Sequence, residues 1–358
     1  MLTALSSSAA GRAIEPLRRQ GQRAEAIAAV AELATGCNFR AHFSLDFRLR
    51  TTFHATVGRS ITMAVVEFRP VSLAACDRRA DEDPEAIAEH LAASRMALLR
   101  NALRPERRQQ ARSIAEREMP ERNNCNFADV MSHGLGPINM SVLLYVLDSA
   151  VLDVARAYFR RMCGTSDMII VTNGLMMRRM AAGDRVPENS QPWHQDAIGL
   201  PADFVPLNCW TLLSPDECGE TAPGLDIIPD AIPAFLGMEA PPASAALSYM
   251  KTLPSAIAQY VDAYQPWRPL VRLGDVLIFD MLTLHRTGWG PEQRLPRISL
   301  ELRLAARTEA VLAHIETSPS GLRHYHLQGA ELTGPTHFQR MPDRSMRFWG
   351  DGCWTIPR

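Results

Sequence analysis

Seven short apolar runs punctuate residues 168–304, and none exceeds eight residues. They are Met168–Thr172, Leu175–Met180, Pro206–Leu213, Leu225–Ile228, Leu270–Leu273, Val276–Phe279 and Ile298–Leu304. Turn residues close each one, and apolar runs of this length read as strands, not helices. The last run alternates cleanly. Ile298, Leu300, Leu302 and Leu304 share one face; Arg297, Ser299, Glu301 and Arg303 share the other. Helical patterns come earlier, over 13–34, 85–94, 105–118 and 141–162, with strand-like texture over 43–71 and at 96–101. Helices first and many short strands later predict a mainly β fold, a sandwich or barrel with helices packed outside. The charged run from Asp77 to Glu85 marks a boundary. It separates an N-terminal extension (1–82) from a main domain (83–310) and a C-terminal tail (311–358). Within the main domain, 230–267 interrupts the strands. It carries several prolines with Phe235, Tyr249, Tyr260, Tyr264 and Trp267. A connection that long reads as a lid or binding loop.

Charge and cysteine usage exclude several functions. With 38 basic and 39 acidic residues, the net charge is −1. That argues against a nucleic-acid partner, which needs a phosphate-neutralising surface. No apolar run approaches the roughly 18 residues of a membrane span, so no membrane partner is expected. The seven cysteines are scattered and form no CxxC pair. They read as reduced thiols, which implies a cytoplasmic protein. Lys251 is the only lysine, which reads as codon bias in a GC-rich, bacterial genome.

The chemistry concentrates in two places. In Pro192-Trp193-His194-Gln195-Asp196, His194 and Asp196 stand at i and i+2. On extended backbone such residues point to one side, so they can present an imidazole and a carboxylate to one ion. His285 follows a turn and an apolar strand, Gly274–Phe279. Two histidines and one carboxylate on one face leave coordination positions open, which suits non-haem Fe(II) handling O2. Twelve residues on is Arg297, whose guanidinium can hold a carboxylate in a bidentate pair. Thr287 could add a hydroxyl donor to the same group. Each element has a plainer reading. An isolated HxD is most often a surface turn, and the polar face of 297–303 reads equally as a solvated sheet face. His314-Ile315-Glu316 has the same spacing, and His324-Tyr325-His326 pairs two imidazoles. Both fit packing roles better.

Taken in order, these segments resemble the phytanoyl-CoA dioxygenase family of Fe(II)/2-oxoglutarate oxygenases over roughly residues 86–306. The resemblance is carried by Glu89–Ala92 with Met96–Leu103, Trp193-His194-Gln195-Asp196, Asn208–Leu213, Gly224–Pro229, Gly274–Phe279, His285-Arg286-Thr287-Gly288 and Pro296-Arg297. It implies a double-stranded β-helix (jelly-roll, cupin-like) core. It also implies Fe(II) on His194, Asp196 and His285, with 2-oxoglutarate and O2 as cosubstrates. Arg297 and Thr287 match the positions that bind the far carboxylate. Trp210 falls where the family often has a tryptophan near the cosubstrate. The strand 175–180 should face it too, through Met176 or Met177; the register is open, and Met177 is the expectation carried forward. The implied reaction is oxidation, by default hydroxylation, of an unactivated C–H bond in a small or medium, partly apolar metabolite of secondary metabolism. The family's halogenases lack the carboxylate that Asp196 supplies, which disfavours halogenation. Asp230-Ala231-Ile232 departs from the family's Gly-Ser-His, and the first 80 residues have no counterpart; a homodimer contact is one role open to them. Two other readings stand beside this one: a non-catalytic metal-binding barrel, and a cupin-type enzyme that does not use 2-oxoglutarate.

Overall fold

The computed structural model describes residues 56–57, 59–60, 76–119, 137–171, 175–182, 190–197, 206–229, 231–237, 254–261, 264–317, 323–340 and 346–356. The helix expected over 13–34 lies outside these residues. So do the strands expected over 43–71, save a small hairpin of β1 (Thr56–Val57) and β2 (Arg59–Ser60).

A ten-stranded sheet dominates the described residues. It contains β3 (Asp77–Arg79), β4 (Met96–Arg100), β5 (Met168–Val171), β6 (Met176–Met180), β7 (Leu207–Ser214), β11 (Val276–Asp280) and β13 (Arg297–Ala306). From the C-terminal region come β14 (His324–Gln328), β15 (Glu331–Arg340) and β16 (Met346–Thr355). The order is β16-β15-β14-β5-β13-β7-β11-β4-β3, with β6 beside the first half of β13. Only β3 and β4 run parallel in this sheet. A second layer is made of short pairs: β9 (Gly224–Ile227) with β12 (His285–Gly288), and β8 (Glu217–Cys218) with β10 (Val271–Arg272). Single bridges extend it from His285 to His194 and from Ile227 to Trp267.

The alternation of each strand sorts its side chains between two cores. One face of the large sheet meets α1 (Pro84–Ser94), α2 (Pro105–Glu118), α3 (Pro137–Leu147) and α4 (Ala150–Cys163). There Leu300, Leu302 and Leu304 join Leu99, Ile278, Leu91, Leu143 and Phe159. Burying a leucine of this kind contributes about 1.5–3 kcal/mol. The opposite face meets the short strands, where Leu98, Trp210, Leu277 and Phe279 pack on Leu225, Ile227 and Val271. The polar face of β13 therefore points between the two layers, not into solvent.

The stretch 141–162 is two helices, not one. Ser149 adopts an extended backbone and its hydroxyl accepts from Val151 N, capping α4. The carboxylate of Asp148 beside it takes Arg107 at 2.9 Å. A Ser at such a break offers the backbone a cap that continuation of the helix cannot. The described residues of 311–358 carry regular structure. Most of α6 (Glu309–Glu316) lies there, and β14–β16 extend the large sheet beyond β5. No helix among the described residues is long and apolar enough to cross a membrane.

Candidate functional site

His194 and His285 face each other across an antiparallel bridge, with reciprocal backbone hydrogen bonds of 2.9 and 3.0 Å. Their ring centroids are 4.2 Å apart. Asp196, two residues on from His194, comes within 3.7 Å of each Nε2. The three potential ligand atoms lie within 4.8 Å of one another, and all three residues are buried. Among the described residues this is the one cluster of such a kind.

Both imidazoles are oriented from behind. His194 Nδ1 lies 2.8 Å from Pro192 O, and His285 Nδ1 lies 2.9 Å from Thr283 O. A carbonyl can only accept, so each Nδ1 carries the proton and each Nε2 presents a lone pair to the centre. Metal-binding histidines are commonly oriented by such a hydrogen bond from the ring nitrogen that does not face the metal. Burial, then the neighbouring His285, push the His194 imidazole down to about 3. It is thus neutral, the form that binds a metal. Burial works against the charge of Asp196, but Arg303, both histidines and Asn208 outweigh it and hold the carboxyl below the usual range. Arg303 Nη2 stands 3.0 Å from Asp196 Oδ1, and Asn208 Nδ2 donates to Oδ2. Asn208 in turn accepts from Arg303 Nε at 3.0 Å. The donor set fits a first-row divalent cation.

Next to the triad is a narrow cavity lined by Met176, Arg178, Gln191, Trp210, Leu225, Phe279, His285, Arg297, Ser299 and Glu301. Its volume is about 10 Å³, room for a single water. A ligand larger than water enters only as the lining side chains move. Arg297 is 1% exposed. Its Nη1 donates to Pro223 O and Gly224 O at 3.0 and 2.8 Å, while its Nε is buried without a partner. The guanidinium carbon stands 5.2 Å from the centre of the Trp210 ring. Burial, with Arg178 nearby, pushes its pKa down to about 10, so the group stays charged at neutral pH and undercompensated. Burial and the nearby Asp196 raise the Glu301 carboxyl.

Thr287 lies outside the cavity lining. Its hydroxyl accepts from Gln191 N at 2.9 Å, which leaves its proton available. Met177 pairs with Leu300 and packs on the helix side, so Met176 and Arg178 are the β6 residues that line the cavity. Gln195 lies between two members of the triad and points the other way. Its amide donates to Leu282 O (2.6 Å) and Ala234 O (3.2 Å) and accepts from Leu236 N (2.7 Å). It thereby fastens 231–237 of the insertion beside the triad. There Ile232, α5 (Pro254–Val261) and Tyr264 cover Trp193 and Leu284. Asn208, Arg303 and Arg178 had no recognisable signal beyond their place on an inward face, and Gln195 had none beyond its place between His194 and Asp196. His314 lies on α6, and His326 Nε2 sits 3.3 Å from Asp167.

No protein-family model matches the chain, and no curated protein matches it. Among solved structures, the epimerase SnoN in complex with Fe3+, alpha ketoglutarate and nogalamycin RO is 15% identical. The match covers 66% of this chain and 91% of that one, with a TM-score of 0.44. EctD from S. alaskensis, with 2-oxoglutarate and 5-hydroxyectoine, is also 15% identical, covering 75% of this chain and 84% of that one (TM-score 0.44). The non-heme monooxygenase ThoJ is 14% identical, covering 61% and 76% (TM-score 0.42). Likeness at this level decides neither fold nor activity, and the functional reading rests on the residues themselves.

Proposed function

We propose that this chain is an Fe(II)- and 2-oxoglutarate-dependent oxygenase, built on a double-stranded β-helix whose two layers are the large sheet and the short strand pairs. One observation carries the reading. A buried pair of oriented imidazoles and a carboxylate adjoins a cavity that also holds a buried, undercompensated arginine. A lone metal-binding barrel leaves that arginine without a purpose, as does a cupin-type enzyme that dispenses with the oxo acid.

His194, His285 and Asp196 hold the metal. Their fixed tautomers and the Asn208–Arg303 brace preset its ligand directions. Arg297 binds the far carboxylate of 2-oxoglutarate over the Trp210 ring, and Thr287 has a hydroxyl proton to give to the same group. Bound in this way, Fe(II) supplies the O2 chemistry that oxidises 2-oxoglutarate to succinate and CO2 and hydroxylates a C–H bond of the substrate. The insertion pinned by Gln195 keeps bulk water from the triad. Its apolar and aromatic residues fit a small or medium, partly apolar metabolite.

With Fe(II), O2 and 2-oxoglutarate but no other substrate, the protein is expected to release succinate slowly. His194→Ala and Asp196→Ala are expected to abolish that release. Fe(II) binding without 2-oxoglutarate consumption would instead point to a metal-binding protein.

A further inference from the structure

A second arginine lines the cavity and has no part in the reading above. Arg178 stands on β6 opposite Ser299 of β13. That position is two residues from Arg297, so about 7 Å along the strand, toward the end where Arg303 meets Asp196. Its Nη1 donates to Gln191 Oε1 at 2.9 Å, but its Nη2 is buried with no acceptor. Among the described residues, no carboxylate makes an ion pair with it. Asp196 and Glu301 share Arg303 instead, at 3.0 and 3.5 Å. Gln191 is neutral and satisfies one donor without balancing the charge. A buried guanidinium donor left open is costly unless a ligand completes it. The cavity is also too tight for a five-carbon acid to enter without touching this side chain.

We propose that Arg178 is a second carboxylate-binding residue of the cavity, holding the 1-carboxylate end of 2-oxoglutarate while Arg297 holds the far end. The proposal rests on the reading of Arg297 as the far-end anchor. Two guanidiniums on neighbouring strands, offset along the sheet, match a ligand with an acid group at each end. The plainer alternative is that Arg178 only braces Gln191, whose backbone pairs with Thr287.

Two ligands separate the two arginines. Full-length protein loaded anaerobically with Fe(II) is titrated calorimetrically with 2-oxoglutarate and with 2-oxobutyrate, which lacks the far carboxylate. Arg178→Met should weaken both ligands by about 10–100-fold, the worth of a hydrogen bond to a charged group. Arg297→Met should weaken 2-oxoglutarate and leave 2-oxobutyrate unchanged. Wild-type affinity of Arg178→Met for both ligands would overturn the proposal and leave Arg178 as a brace. Wild-type affinity of Arg297→Met for 2-oxoglutarate would instead overturn the anchor reading beneath it. If the methionine variant does not fold, Arg178→Gln decides, since it can still hydrogen-bond Gln191. Weakening of both ligands supports the proposal and unchanged affinities refute it.

Discussion

Replacing Asn208 with leucine isolates the brace behind the metal carboxylate. Asn208 is fully buried, donates to Asp196 Oδ2 and accepts from Arg303 Nε. Leucine keeps the branch at Cγ, with methyl groups where the amide oxygen and nitrogen stood, so no cavity opens. Two interactions of charged groups disappear, each worth about 1.5–3 kcal/mol. The metal feels this through Asp196, which loses a fixed rotamer. Removing a hydrogen-bond partner of a metal ligand typically weakens metal binding by about 10–100-fold, or about 1.4–2.7 kcal/mol. Anaerobic competition with an Fe(II) chelator measures that difference, and urea unfolding of the metal-free protein measures the general loss of stability. Thr211→Val is the control. Thr211 lies on the same strand, is equally buried, and donates its hydroxyl to Asp275 O at 2.9 Å. It should lose stability but keep its Fe(II) affinity. Asn208→Leu binding Fe(II) within about twofold of wild type would refute the brace, as would equal weakening by Thr211→Val.

The depressed pKa of His194 makes the metal-free protein acid-sensitive. Its folded value of about 3 lies below the ordinary 6.5, so between the two the unfolded chain binds the extra proton. Stability is complete above 6.5 and falls as pH drops, by about 1.4 kcal/mol per pH unit from this group; unfolding of His194→Gln across pH 5–7 should show a shallower slope, and an equal slope would contradict the assignment. Gln195→Leu breaks the hydrogen bonds to Ala234 O and Leu236 N of the insertion and to Leu282 O outside it, and limited proteolysis should cut the insertion faster than in wild type. Leu302→Ala, in the fully buried helix-side core, should cost about 2–5 kcal/mol of stability with Fe(II) affinity unchanged.

The alternation of 297–304 was legible, but its polarity was not. Arg297, Ser299, Glu301 and Arg303 face the space between the layers only because the helices cover the aliphatic face. That choice is made by tertiary packing. The register of β6 was hidden for a similar reason. One step along a strand reverses every side chain, and pairing with β13 sends Met177 to the helices and Arg178 inward. Asn208 and Arg303 reach Asp196 across strands distant in sequence, so no local pattern marks them. The C-terminal strands were obscured by glycines in their midst. Gly334 is required there, because a Cβ would come within 2.5 Å of the Tyr325 ring, yet glycine inside a strand reads as a turn. The triad spacing was legible because His194 and Asp196 stand two residues apart in sequence and both side chains reach the same point, where His285 joins them.

The central claim is that metal and oxo acid share one site. Anaerobic metal-free protein, titrated with Fe(II) and then with 2-oxoglutarate, tests it through the visible metal-to-ligand charge-transfer band. The band should rise only after both are present, and should be absent in Asp196→Ala. Fe(II) binding with no band at saturating 2-oxoglutarate would contradict the account.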